Sequence, residues 1–178
     1  MTAARRADQA WPRPVGQPDD YTGPDPTELH LVGALLHAPT AWVLDALTHL
    51  TGDDLGDPYF AEITEVIREL AAAGPAGPVL VKDRLLARGA LGGNRGAALH
   101  RRFLAAITCG VDWTALHQLV TAVVSRSYRR RFDALHDGLE GLTGQPESVL
   151  RPYVQEHLAA IIAHEHRLAA LRGPSGLL

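Results

Sequence analysis

A long amphipathic pattern over residues 112–142 constrains the fold more than any other part of the sequence. Apolar side chains recur there at intervals of three and four, at Leu116, Val120, Val124, Tyr128, Phe132, Leu135, Leu139 and Leu142. This spacing predicts a single α-helix of roughly 30 residues with one apolar stripe. The glycine-containing stretch GLTGQP (141–146) ends the pattern, and a second stripe runs from Leu150 to Leu171. Two long helices joined by a short turn predict an antiparallel helical hairpin over residues 111–172.

The length of this hairpin has a consequence for its surroundings. Its apolar stripes present more surface than a small globular domain covers, and large uncovered apolar patches mark interaction sites. We therefore expect a partner for the hairpin, and a second copy of the same chain is the simplest one.

The sequence before the hairpin predicts a bundle of about five short helices over residues 25–110. Asp25-Pro26 and Asp57-Pro58 each place an N-cap acid before a proline, which is typical of a helix start. Trp42, Leu80 and Leu86 belong to the apolar sets of these helices, and Leu104 is predicted to face inward. No segment has the pattern of a strand, so the predicted fold class is all-α.

Composition narrows the class of protein further. The 46% hydrophobic content of the 178 residues is sufficient for a packed core, with no apolar run of the ~18 residues that a membrane span needs. The N-terminus lacks a signal-peptide core, so a cytoplasmic location is expected. Residues 1–24, with four prolines and no periodicity, are predicted to be a disordered or loosely docked arm, and residues 173–178 a flexible tail. The single cysteine, Cys109, excludes an internal disulfide.

No pattern of catalytic or metal-binding residues is found in the sequence. The densest histidine group is His157, His164 and His166, and its spacing on one helix does not bring two of these side chains to the same ion. Neither a phosphate-binding G-x-x-x-x-G-K-[ST] loop nor a G-x-S-x-G motif occurs. We expect no enzyme activity, no cofactor and no metal, and histidines on the surface or in the hairpin seam.

Five segments together resemble a known family: ELHLVGALL (28–36), LTGDDL (50–55) with YF (59–60), IRELAAAG (67–74), LLARGALGG (85–93) and YRRRF (128–132). In this order and spacing they are similar to the N-terminal domain of bacterial replicative DNA helicases, the DnaB family, over about residues 27–165. The chain departs from the family at Ala61-Glu62, where an acidic or aromatic residue is expected. It also ends where the ATPase domain of the family would begin.

The resemblance implies the helicase's collar module without its motor. In that family the hairpins pair two protomers, the pairs form rings, and the rings dock primase and helicase loaders. The residues that would pair here are Tyr128, Phe132, Leu135, Leu139, Val154, Leu158 and Ile161. The function implied is a DNA-replication protein-interaction module that self-associates as a dimer or larger ring and docks a helicase, primase or loader.

Arginines supply the alternative interpretations. Arg126, Arg129 and Arg130, together with Arg101 and Arg102, could contact DNA or an acidic protein, although the net charge of −3 argues against binding by bulk charge. A solvated helix face also has this appearance. Arg131, which matches the hairpin arginine of the family, falls on the apolar side of its helix. It is predicted either to pair with Glu156 or Glu165 across the hairpin or to extend its charged end outward.

Overall fold

The computed structural model describes residues 23–142 and 144–173, and within them it contains seven α-helices and no strand. Short 3₁₀ turns at residues 52–54 and 113–115 precede the third and sixth helices. The prediction of an all-α bundle followed by a hairpin is confirmed. The helices are α1 (Pro26–His37), α2 (Thr40–His49), α3 (Pro58–Ala73), α4 (Pro78–Ala87), α5 (Gly93–Thr108), α6 (Leu116–Leu142) and α7 (Glu147–Arg172).

The predicted helix starts at α1 and α3 are present as caps. Asp25 accepts a hydrogen bond from the backbone N–H of Thr27 at 2.7 Å, and Asp57 accepts one from Tyr59 at 2.8 Å. Each cap is followed by a proline, whose missing N–H is not needed in the first turn.

The α1 helix lies at the centre of the bundle and packs against α3, α5 and α6. Its residues 31–36 are all buried, including Gly33. A Cβ atom at Gly33 would lie 2.5 Å from the Sγ atom of Cys109 and 2.7 Å from the carbonyl oxygen of Ala106. Only glycine therefore allows α1 to approach the end of α5 this closely.

The hairpin has two parts with different surroundings. In α6 the buried residues lie between Leu116 and Ser127, and in α7 they lie between Ile161 and Leu171. These parts pack on the bundle. None of the described residues in 128–160 is buried. We call residues 132–158 the distal arm, because they form the end of the hairpin away from the core.

Several apolar residues of the bundle are more exposed than their helix patterns suggest. Leu104 is 46% exposed, so its predicted inward orientation is wrong. The inward face of α5 is formed by Leu99, Phe103 and Ala106, and Leu104 lies about 100° from Phe103 around the helix. Trp42, Leu80 and Leu86 are also exposed.

The expectations for residues 1–22 and 174–178 lie outside the described residues. Among the described residues, no single helix has both the length and the apolar character required to cross a membrane. One pair of helices, Gly93–Thr108 and Trp113–Leu142, meets the criterion only when joined across a bend of 105°.

Candidate interaction surface

A buried polar cluster joins the hairpin to the bundle, and we call it the junction cluster: Asp54, Arg131, His164 and Arg167. The carboxylate of Asp54 receives two hydrogen bonds from Arg167, at 2.5 and 3.2 Å. Asp54 is held in place by Thr51, whose backbone N–H and hydroxyl donate to it at 2.8 and 2.9 Å. The 3₁₀ turn before α3 is thereby tied to α7.

His164 lies within the junction cluster with almost no exposed surface. Its Nδ1 atom accepts hydrogen bonds from Arg167 at 2.7 Å and from Arg131 at 3.2 Å. Because arginine only donates, Nδ1 must be unprotonated. The proton of the neutral ring is on Nε2, which lies 3.0 Å from the carbonyl oxygen of Val124.

Burial and charge fix the protonation states of this cluster. Burial lowers the pKa of His164, the hydrogen bond to Val124 opposes this, and the arginines lower the pKa further, so it lies below the usual 6.5. Burial alone would raise the pKa of Asp54. The hydrogen bonds from Arg167 and Thr51 outweigh it and hold that pKa below 3.8. At neutral pH the cluster contains a carboxylate, a neutral imidazole and two guanidinium groups.

The structure corrects the prediction for Arg131. No carboxylate of Glu156 or Glu165 pairs with it; its Nε atom donates to His164 across the hairpin. The predicted partners are both exposed side chains of α7. The role of Asp54 was not predicted from the sequence. Nothing in the sequence around Asp54 indicates that its partner is an arginine 113 residues away.

Glu28 forms a second connection between α1 and the start of α3. Its buried carboxylate accepts hydrogen bonds from the backbone N–H groups of Gly56 and Asp57, at 2.7 and 3.0 Å. A carboxylate there satisfies donors that the turn leaves unpaired and favourably faces the positive end of the α3 dipole. Glu28 and Gly33, two residues of the first resembling segment, therefore both have structural roles.

Three of the five candidate DNA-contact arginines are used within the chain. Arg102 pairs with Asp57 at 2.6 Å, and Arg126 pairs with Asp25. Arg130 donates to the carbonyl oxygen of Asp54 at 2.7 Å and lies 3.8 Å from the Glu28 carboxylate. Arg101 and Arg129 are exposed and make no ion pair with the described residues. The arginines do not form one free cationic face.

The predicted interface residues divide into three groups. Ile161 is buried within the chain, and Tyr128 packs against Phe132 and His164 with ring centroids 4.9 and 5.9 Å apart. Phe132 and Leu158 are 44% and 45% exposed. Leu135, Leu139 and Val154 are half-buried. The distal arm thus has apolar side chains that its own bundle does not cover.

The distal arm is nevertheless closely packed inside. Gly138 of α6 lies directly against the ring of Tyr153 of α7, and a Cβ atom at this glycine would overlap that ring. Tyr153 in turn packs on His157 at a centroid distance of 4.0 Å. The two helices are therefore held in a defined register at this point of the distal arm.

A groove of about 1010 Å³ runs between α6 and α7 beside the distal arm. Tyr128, Phe132 and Leu168 form its apolar walls. The contacts between the antiparallel helices place Arg172 beside Ser125 at the bundle end of the groove, Glu165 at about the level of Arg129, and Asp133 farther from the bundle. Acidic and basic side chains are therefore interspersed along the groove.

Two further searches, for a metal site and for similar proteins, gave no match. No group of three or more His, Cys, Asp or Glu side chains in the described part of the chain is arranged to hold a metal ion. No family model matches the chain, and no curated protein or solved structure is significantly similar to it.

Proposed function

We propose that this protein is a non-catalytic interaction module that self-associates through the distal arm of its hairpin. The observation that supports this is the uncovered apolar surface of the arm. Phe132, Val149 and Leu158 are each close to half exposed, yet they lie on two helices that are held in register by Gly138 and Tyr153. Exposed apolar side chains on an ordered two-helix element are suited to pairing with a second copy of the same element.

The partner class rests on the resemblance to the replicative helicase N-terminal domain. On this proposal the self-associated form docks a helicase, a primase or a helicase loader. Glu28 and Gly33 belong to the first segment that resembles the helicase family, and both position α1. These structural roles support the fold that the resemblance implies. A direct test is a pull-down with purified replicative helicase and primase.

A catalytic role is disfavoured by the state of the buried histidine. His164 and Asp54 are the buried histidine–carboxylate pair in the described residues. Both ring nitrogens of His164 are engaged, Nδ1 by two arginines and Nε2 by the carbonyl oxygen of Val124. A general base needs a free nitrogen within reach of its substrate, so this pair serves the junction between hairpin and bundle.

Self-association is tested by light scattering over a concentration series. We expect the wild-type chain to form a dimer or larger species, and Phe132→Glu/Leu158→Glu to weaken association at least about 100-fold, since two apolar side chains lose ~1.5 kcal/mol or more each. Leu80→Glu, at an almost equally exposed leucine of α4, is the matched control and should associate like the wild type. A strictly monomeric wild type at all concentrations would refute the self-association proposal.

A further inference from the structure

Two tryptophan rings meet at the surface of the bundle, near the point where α6 begins. Trp42 of α2 and Trp113 of the 3₁₀ turn before α6 form an edge-to-face pair, with ring centroids 5.5 Å apart and an interplanar angle of 78°. Trp42 is 49% exposed and is the largest exposed apolar side chain in the described part of the chain. An edge-to-face contact covers at most one face of one ring. The two rings, which we call the tryptophan pair, therefore present aromatic surface to solvent.

An acidic side chain accompanies each ring of the tryptophan pair. Asp45 follows Trp42 by three residues, which places the two side chains on the same side of α2. Asp112 directly precedes Trp113 and caps the 3₁₀ turn, where its carboxylate accepts a hydrogen bond from the backbone N–H of Thr114 at 2.9 Å. Hydrogen bonding from Thr114 lowers the pKa of the Asp112 carboxyl. The tryptophan pair is thus flanked by two carboxylates.

No cation within the described residues neutralises these two carboxylates. Asp45 and Asp112 are exposed and form no ion pair with the described residues. Residues 23–67 and 103–125, which contain both tryptophans, include neither lysine nor arginine. The guanidinium group of Arg68 reaches α2, but it donates to the carbonyl oxygens of Leu47 and Leu50 at the other end of that helix, at 2.8 and 2.6 Å. The surface around the tryptophan pair is therefore negative as well as aromatic.

Aromatic faces beside carboxylates are suited to one kind of side chain. The quadrupole of an aromatic ring attracts a cation placed over its face, and tryptophan does so most strongly. The guanidinium group of arginine stacks on such a face and donates hydrogen bonds to carboxylates from its edge. The ammonium group of lysine has no planar face to stack. The tryptophan pair and its two carboxylates match the face and the edge of a guanidinium group.

We propose that the tryptophan pair, with Asp45 and Asp112, binds an exposed arginine side chain of a partner protein. This site is separate from the surface proposed for self-association, because Phe132 lies roughly 25 Å farther along α6 than Trp113. An arginine can therefore occupy the tryptophan pair while the distal arm is paired. The inference rests on the chemistry of this corner of the bundle and not on self-association.

Nitrogen–proton NMR spectra of the full-length chain test the site through the indole N–H signals of Trp42 and Trp113. The probe is the peptide acetyl-Gly-Arg-Gly-amide at millimolar concentrations. The matched neutral probe contains citrulline, which has the shape of arginine without its charge. We expect the arginine peptide to shift both indole signals and to bind at least about fivefold more tightly than the citrulline peptide, since the rings and the carboxylates both attract the charge.

Two variants of α2 separate recognition of the cation from general apolar contact. Trp42→Leu keeps an apolar side chain but removes the aromatic face. The preference for the arginine peptide, measured from the Trp113 signal, should then fall to about twofold or less. Leu44→Ala, at a similarly exposed apolar residue of the same helix, should keep the wild-type preference.

Three results would overturn the inference. Equal binding of the two peptides would leave the tryptophan pair as a general apolar contact. The absence of any shift would mean that the two rings only pack on each other. An unchanged preference in Trp42→Leu would place recognition of the arginine elsewhere on the surface. Light scattering of Phe132→Glu/Leu158→Glu measures self-association separately, so failure of one proposal is distinguishable from failure of the other.

Discussion

Arg167 connects more elements than any other side chain of the junction cluster. Its guanidinium group donates to Asp54 in the 3₁₀ turn, to His164 on its own helix and to the carbonyl oxygen of His49 at the end of α2, the last at 3.2 Å. The planar group of arginine offers its donors in fixed directions, which lysine does not reproduce. The position of the hairpin on the bundle therefore depends on this residue.

Replacing Arg167 should destabilise the protein strongly. Arg167→Met leaves the Asp54 carboxylate buried without its ionic partner, so we expect the free energy of unfolding to fall by about 3–5 kcal/mol. Urea unfolding at pH 7 measures it. Arg151→Met, at an exposed arginine of the same helix, should change the free energy by less than about 0.5 kcal/mol. Similar small effects for both variants would show that Arg167 does not hold the junction.

His164 should make stability depend on pH in a defined range. Its pKa is lower in the folded chain than the 6.5 of an unfolded one, because burial and the two arginines oppose the charged form. The contribution of neutral His164 to the free energy of unfolding is complete above pH 6.5. As the pH falls below 6.5 the unfolded chain binds a proton that the folded chain does not, and stability is lost at up to about 1.4 kcal/mol per pH unit.

The matched variants are His164→Gln and His166→Gln. Glutamine can accept from the arginines and donate to Val124 at every pH, so His164→Gln should reduce the loss of stability between pH 7 and 5. His166 is exposed on the same helix, and its variant should keep the wild-type pH dependence. Urea unfolding at several pH values measures the difference. Identical pH dependence in His164→Gln and the wild type would contradict the assignment.

The basal part and the distal arm of the hairpin are stabilised by different contacts. Their basal parts are buried against the bundle, whereas the distal arm depends on contacts between α6 and α7 alone. Within that arm, α7 contains Pro152, which has no N–H to donate to the preceding turn. A proline inside a helix weakens it by roughly 3 kcal/mol. The distal arm should therefore open locally without unfolding of the bundle.

Pro152→Ala should protect the distal arm and leave the bundle unchanged. Restoring the missing hydrogen bond is expected to slow hydrogen exchange in residues 147–158 by up to about 100-fold in the monomeric state. Exchange in α1 and α3 should not change, because these helices open only with the whole domain. Gln155→Ala is the control, since it alters an exposed side chain and adds no backbone donor. Equal slowing in α1 would show that arm and bundle unfold as one unit.

The sequence predicted the hairpin because its apolar spacing follows the period of a helix throughout. The same spacing continues from Val124 to Leu139, although the first is buried and the second only half-buried. Periodicity identifies the face of a helix but not how far along it the neighbouring helices reach. The predicted pairing of Arg131 with Glu156 or Glu165 was wrong for a related reason. Predicting this partner requires the register between the two helices, which the turn sequence does not fix.

Acidic residues outnumber basic residues in the molecule as a whole. The chain has 17 basic and 20 acidic residues. Arg102, Arg126 and Arg130 on the hairpin side of the bundle are turned toward Asp57, Asp25 and Glu28. These pairs connect the ends of α1 and α3 to α5 and α6. The arginines that suggested a nucleic-acid surface therefore contribute mainly to the assembly of the domain.

Binding to DNA should accordingly be weak and little affected by salt. Of the five candidate arginines, only Arg101 and Arg129 are without an ion pair to the described residues. Two phosphate contacts correspond to a slope of about −1.8 in a plot of log K against log salt concentration. Fluorescence anisotropy with a labelled duplex measures this slope, and Arg101→Ala/Arg129→Ala should remove the remaining binding. Lys82→Ala is the control, at an exposed basic residue of α4. A much steeper slope would mean that the paired arginines exchange their carboxylates for phosphates, and DNA binding would then replace protein docking as the better account of this surface.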